Sequence, residues 1–159
     1  MKKVILLLLV LPLWAGCGPN LQLHTTEFSH TGCNSGIATK ASSSDCPRLI
    51  LKYDNGGLRV SCTNAEMNCA IKLNGIACDV SMDGDVIHYY VYEKDGPSAN
   101  CICHVDEMTS VVNGLQKGKD YTLDFVCSAY RYMPIPFTFN DGLYLVLELT
   151  RDMLVHNMY

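Results

Sequence analysis

The chain has 159 residues, 48% of them apolar and 18% charged, with a formal charge of −4 at pH 7. That length supports one domain with a sizeable core. The acidic balance, with no basic cluster, argues against nucleic acid or anionic lipid as a partner held by charge.

At the N-terminus, "MKKVILLLLVLPLWAGCGPN" sets Lys2 and Lys3 before an apolar run of 12 residues, Val4 to Ala15. A bilayer-spanning helix needs about 20 such residues, so the run has the proportions of a secretory signal's apolar region. Ala15 and Gly16 then lead into Cys17, an arrangement that looks like a bacterial lipoprotein signal, cleaved before the cysteine and lipidated on its thiol. Trp14 stands where that pattern has an aliphatic residue. Residues 1–16 are therefore expected to be a lipoprotein signal peptide, with Cys17 anchoring the mature chain to the membrane. Acyl chains anchor through about 0.8 kcal/mol for each buried methylene. The cysteine count agrees. Of nine cysteines, setting Cys17 aside leaves Cys33, Cys46, Cys62, Cys69, Cys78, Cys101, Cys103 and Cys127. In the oxidising compartment that export implies, these eight are candidates for four disulfides.

Residues 17–46 are rich in Ser, Thr, Gly and Asn without hydrophobic period, the texture of a flexible tether between lipid and domain. Cys33 and Cys46 either close a loop on each other or staple this tether to the domain. From Pro47 the texture changes to short runs of β-branched and aromatic residues: "RLILKY" (48–53), "GLRVSCT" (57–63), "NCAIKLN" (68–74), "IACDVSM" (76–82) and "DVIHYYVYE" (85–93). Asp54-Asn55-Gly56-Gly57, Asn74-Gly75 and Asp83-Gly84 separate them with hairpin chemistry. Further strands are expected at "MTSVVNGL" (108–115), "YTLDFVCSA" (121–129) and "LYLVLELT" (143–150). Regular spacing with almost no helical period predicts an all-β sandwich over residues 47–150, followed by a tail or frayed helix over 151–159.

In "GLQKGKDYTLDF", Leu115, Gly118 and Tyr121 look like the corner before the sixth strand of immunoglobulin and fibronectin type III domains, where a Tyr hydroxyl bonds to upstream backbone. Taken with "YDNGGLRVSCTNAEMNC" and "SANCICHVD", the succession over residues 50–127 resembles small immunoglobulin-like lipoproteins of Bacteroides-type bacteria. In their pattern a "G-x-L-x-V" strand precedes an "N-C" pair, and a "C-x-C-x-x-D" run leads into a "G-L-x-x-G-x-Y" corner. The resemblance implies a disulfide-stapled immunoglobulin or fibronectin III-like fold and an envelope location, and it joins Cys69 to Cys101 or Cys103. It implies no activity. His104 departs from the family pattern, which has apolar or aromatic residues there.

The densest chemistry lies in "SANCICHVDEM", with Cys101, Cys103, His104, Asp106 and Glu107 close together. The C-x-C spacing does not fit a zinc site, which pairs its ligands at C-x2-4-C. A redox dithiol needs a cation or a helix N-terminus to stabilise its thiolate, whereas here the neighbours are acids on a strand. Structural bridges are the favoured reading, and a thiol–disulfide enzyme using Cys101 and Cys103 is the minor alternative. In "VIHYYVYE", Ile87, Tyr89 and Val91 are expected in the core, which leaves His88, Tyr90 and Tyr92 as an outer stripe. With Tyr130 and Tyr132 in the presumed loop "SAYRYMPIPF", Tyr90 and Tyr92 are the candidate ligand-binding residues, suited to stacking on sugar rings. No catalytic motif, cofactor or metal site is legible. The sequence therefore points to a non-enzymatic binding or structural module of the bacterial envelope. The outer membrane is favoured, with no choice of face. Its partners are the membrane through Cys17 and a glycan or an envelope protein; a carbohydrate-binding accessory role is the alternative.

Overall fold

Two of the expected turns, Asp54–Gly57 and Asp83-Gly84, join hairpins, with β-strands paired across each of them. In the computed structural model, which describes residues 23–26, 28–34, 46–69, 75–94 and 101–157, Asn55 and Gly56 both take positive φ, 49° and 93°. That pair of left-handed residues makes the tight turn whose twist suits a two-residue hairpin. In the second hairpin turn Gly84 alone takes positive φ, 59°. The segment 1–16 with Trp14, the lipidation candidate Cys17, and Asn74 lie outside the described residues.

Among the described residues thirteen strands follow in order: β1 (His24–Thr25), β2 (Ser29–His30), β3 (Cys33–Asn34), β4 (Arg48–Asp54), β5 (Gly57–Asn68), β6 (Ile76–Asp83), β7 (Val86–Glu93), β8 (Ile102–Asn113), β9 (Asp120–Cys127), β10 (Tyr130–Tyr132), β11 (Ile135–Thr138), β12 (Tyr144–Glu148) and β13 (Leu154–Asn157). A 3-10 turn, Arg151–Met153, precedes the last. The protein is all-β, built from two sheets. The first runs β1-β8-β5-β4-β12, with β2 and β3 also alongside β8; the second runs β13-β10-β9-β7-β6, with β11 also alongside β9.

The inner faces of both sheets share one core. Leu49, Leu51, Leu58, Val60 and Val105 of the first sheet pack with Ile87, Tyr89, Val91, Leu123 and Phe125 of the second. One buried polar bridge crosses between them, Tyr89 Oη to Ser110 Oγ at 2.7 Å. At the corner before β9, Gln116 N–H donates to the hydroxyl of buried Tyr121 at 2.8 Å. Gly118 makes the turn there at φ 83°, its N–H donating to Phe139 O at 2.7 Å.

The structure corrects the sequence reading in several places. The expected sandwich has antiparallel sheets, but β7 runs parallel to β9, with Val86–Val91 beside Thr122–Cys127. Between these two strands the chain visits the first sheet as β8, so the return is a crossover rather than a hairpin. Residues 23–26 and 28–34, read as tether, lie along β8: Thr26 and Thr31 N–H groups donate to Val111 O and Glu107 O at 2.8 and 2.9 Å. Leu23 and Phe28 pack against the core there. The break expected between 63 and 68 is absent, because β5 continues through Asn64 at φ 56° and stays paired with β8. The C-terminal tail is also structured, since β13 pairs with β10.

Candidate functional site

Period-two alternation on β7 divides its side chains between core and solvent. Ile87, Tyr89 and Val91 are buried, which turns His88, Tyr90 and Tyr92 outward. The register places Ser81 and Asp79 of β6 beside His88 and Tyr90. On the other side, Asp124 and Val126 of β9 lie next to the same two residues, and Arg131 of β10 lies beyond Val126. One sheet face therefore collects residues from four strands.

Two arrangements stand on that face. The rings of Tyr90 and Tyr92 stack at 5.0 Å between centroids and 20° between planes. Partial desolvation, then the charge and hydrogen bond of Asp79, push the Tyr92 phenol above its ordinary pKa. Beside them, Asp124 accepts from Arg131 Nε at 2.9 Å and Nη2 at 2.8 Å, and pairs with His88 Nδ1 at 2.9 Å. Burial opposes the charge on Asp124, yet the bonds from Arg131 and His88 hold its carboxyl below the usual range. Ser81, His88 and Asp124 occupy one lateral row of the sheet, with the His88 Nδ1 bond directed to Asp124. The network orients the polar groups of this face.

The other tyrosine pair is corrected. Residues 130–132 form a strand rather than a loop, so alternation applies to them as well. Tyr132 is buried against Phe125, ring centroids 5.9 Å apart, and burial lifts its phenol far above the ordinary value. Tyr130 packs against the same core, and only Arg131 between them faces outward. Tyr132 is a core residue and no part of a binding surface. The sequence reading missed Asp124 and Arg131. Their signal was available only as alternation on "YTLDFVC" and "YRY", where each falls between inward-facing residues.

The cysteine-rich stretch also resolves. Cys69, just after β5, is bridged to Cys101, just before β8, with Cα atoms 5.5 Å apart. The bridge closes the 32-residue excursion that contains β6 and β7, a loop length that contributes about 3–4 kcal/mol on a chain-entropy account. Cys103 is also in a disulfide. His104 pairs in register with Glu66, and its Nδ1 is buried with no hydrogen-bond partner among the described residues. Four other disulfide candidates are free thiols: Cys46 is exposed, whereas Cys62, Cys78 and Cys127 lie on inner strand faces. Burial pushes the Cys62 thiol up to about 12 and the Cys78 thiol to about 11. Fully enclosed Cys127 is raised further for the same reason.

A shallow cleft of about 510 Å³ opens near one end of the second sheet, lined by Asp85, Asp120, Tyr121, Thr122, Pro136, Phe137 and Thr138. Its acids are already engaged, Asp85 with Lys119 and Asp120 with the Thr138 hydroxyl at 2.6 Å. Among the described residues no group of three His, Cys, Asp or Glu side chains is placed to hold a metal ion, and no helix is long and apolar enough to cross a membrane. No family model, curated protein or solved structure matches the chain.

Proposed function

We propose that this chain is a lipid-anchored, non-enzymatic binding module of the bacterial cell envelope, an immunoglobulin-like β-sandwich whose ligand lies on the outer face of the second sheet. The observation that carries the reading is the stacked Tyr90–Tyr92 pair beside the Arg131–Asp124–His88 network. Aromatic faces offer apolar area with little conformational entropy to lose, and adjacent charged groups supply directional hydrogen bonds. That combination suits a saccharide, which presents apolar ring faces and equatorial hydroxyls. Carbohydrate is therefore the ligand class this face favours.

The two sheets around one core and the Tyr121 corner support the immunoglobulin-like description; the parallel β7–β9 pair is its departure. The thiol–disulfide enzyme gains no support, since Cys101 is tied to Cys69 and the free inner thiols are protonated at neutral pH. The test recovers the full chain from the membrane fraction and screens it on a glycan array. Wild type is expected to retain a defined glycan class, Tyr90→Ala/Tyr92→Ala to lose it, and Cys17→Ser to leave the membrane fraction. Glycan binding unaffected by the double substitution would remove this face as the site.

A further inference from the structure

Among the described residues the first sheet ends in β12, whose unpaired edge differs from the other edges. Proteins guard exposed edges with charges, breaks or bulges, because unpaired backbone groups recruit further strands. The β6 edge carries Asp79 and Asp83, and the edge formed by β1, β2 and β3 is broken into two-residue pieces. The β13 edge follows a register shift at Arg131/Tyr132. In contrast, β12 is five regular residues, Tyr-Leu-Val-Leu-Glu, with no Lys, Pro or bulge, and its one charge, Glu148 at the end of the strand, is paired with Arg48 of β4.

Its hydrogen-bonding direction follows from its ends. Leu143 O accepts from Tyr53 N–H at 3.0 Å, and Leu149 N–H donates to Pro47 O at 2.7 Å. Antiparallel ladders alternate every second residue, so Leu145 and Leu147 also turn their backbone groups to β4. Those of Tyr144, Val146 and Glu148 face the open edge. The side chains are unfinished on both faces. Tyr144 and Val146 are 67% and 44% exposed on the outer face, and Leu145 and Leu147 are only half-buried on the inner one.

We propose that β12 is a self-association edge that pairs antiparallel with β12 of a second copy of this chain about a two-fold axis at Val146. This register is self-complementary, as an isologous contact requires. Each Tyr144 lies opposite Glu148 of the other copy, and Leu145 lies opposite Leu147. The central outer row becomes Ile50, Val146, Val146, Ile50, since Val146 is already beside Ile50. An axis at Glu148 would oppose two carboxylates; the axis at Val146 opposes none. It also uses all three outward-facing residues, forming about six hydrogen bonds, two for each facing pair.

The test is sedimentation-velocity ultracentrifugation of the full chain in mild detergent, in a dilution series up to millimolar protein. Wild type is expected to dimerise. Val146→Pro keeps the β4 ladder, because that N–H faces outward, but deletes one edge donor per copy. Losing two bonds of about 1 kcal/mol each weakens dimerisation about 30-fold. Val146→Asp sets two carboxylates against each other and gives monomer even if the proline variant misfolds, while Val146→Thr stays dimeric. A wild type that is monomeric throughout, or a Val146→Asp protein as dimeric as wild type, overturns the proposal.

Discussion

Replacing Asp124 with Asn tests whether the network on the outer face is built by charge. The substitution keeps the shape but removes the carboxylate that receives Arg131 twice and His88 once. The Asp124 side chain is only 9% exposed, whereas those of His88 and Arg131 are 43% and 48% exposed. Both partners can therefore turn to water, and the cost falls below that of breaking a fully buried pair. A loss of about 1.5 kcal/mol is expected at neutral pH, or about 5 °C in Tm for a domain of this size. Its pH dependence is the sharper signature. A carboxyl held low on folding stabilises the fold above its unfolded pKa of about 3.9 and loses that contribution as pH falls through the folded value. The gap between wild type and Asp124→Asn should be full at pH 7, narrow below about pH 4 and close in stronger acid. Urea unfolding across this range measures it. A gap under about 0.5 kcal/mol at neutral pH, or one that persists undiminished into strong acid, would refute the charge-based account.

Two other outcomes follow from the core. In native protein treated with a maleimide, Cys46 should label readily and half-buried Cys78 more slowly, while Cys62 and Cys127 should label only after unfolding, as read by intact mass; rapid native labelling of Cys62 or Cys127 would contradict their burial. Tyr121→Phe removes the acceptor for the Gln116 N–H and should cost about 1 kcal/mol by urea denaturation, because exposed Gln116 can recruit water; an unchanged midpoint would show that the corner bond contributes nothing.

Features that depend on neighbouring residues were legible in the sequence. Asn55-Gly56 and Asp83-Gly84 marked their hairpins because only particular residues accept positive φ. The parity of "VIHYYVYE" correctly sorted Ile87, Tyr89 and Val91 from Tyr90 and Tyr92, because a strand in a two-sheet core buries alternate residues. Features that depend on a distant partner were hidden. Residues 23–26 and 28–34 show no hydrophobic period; they become strands because the edge of β8 offers Val111 O and Glu107 O as acceptors. Residues 128–137, which include Pro134 and Pro136, read as a loop. Pro134 only separates β10 from β11, and Pro136 lies in β11, which pairs with β9 on one side. The candidate site was half visible for the same reason. The tyrosines are neighbours in sequence, whereas Asp124 and Arg131 join His88 only through the β7–β9–β10 register.

The thiols show why counting is weaker than register. Eight cysteines in an oxidising compartment argue for full pairing, but a bridge also needs Cα atoms within about 7 Å. Cys78 and Cys127 both lie beside Val91, one on each flank, so two strand spacings separate them, about 10 Å. Cys62 belongs to the opposing sheet and is a free thiol. Cys69 and Cys101 differ because they sit at the ends of β5 and β8, paired neighbours in one sheet, where Asn68 lies opposite Ile102. Parity turns Cys62, Cys78 and Cys127 inward, and register keeps Cys78 and Cys127 apart. They pack there as small apolar side chains, away from the Cys69–Cys101 bridge at the strand ends.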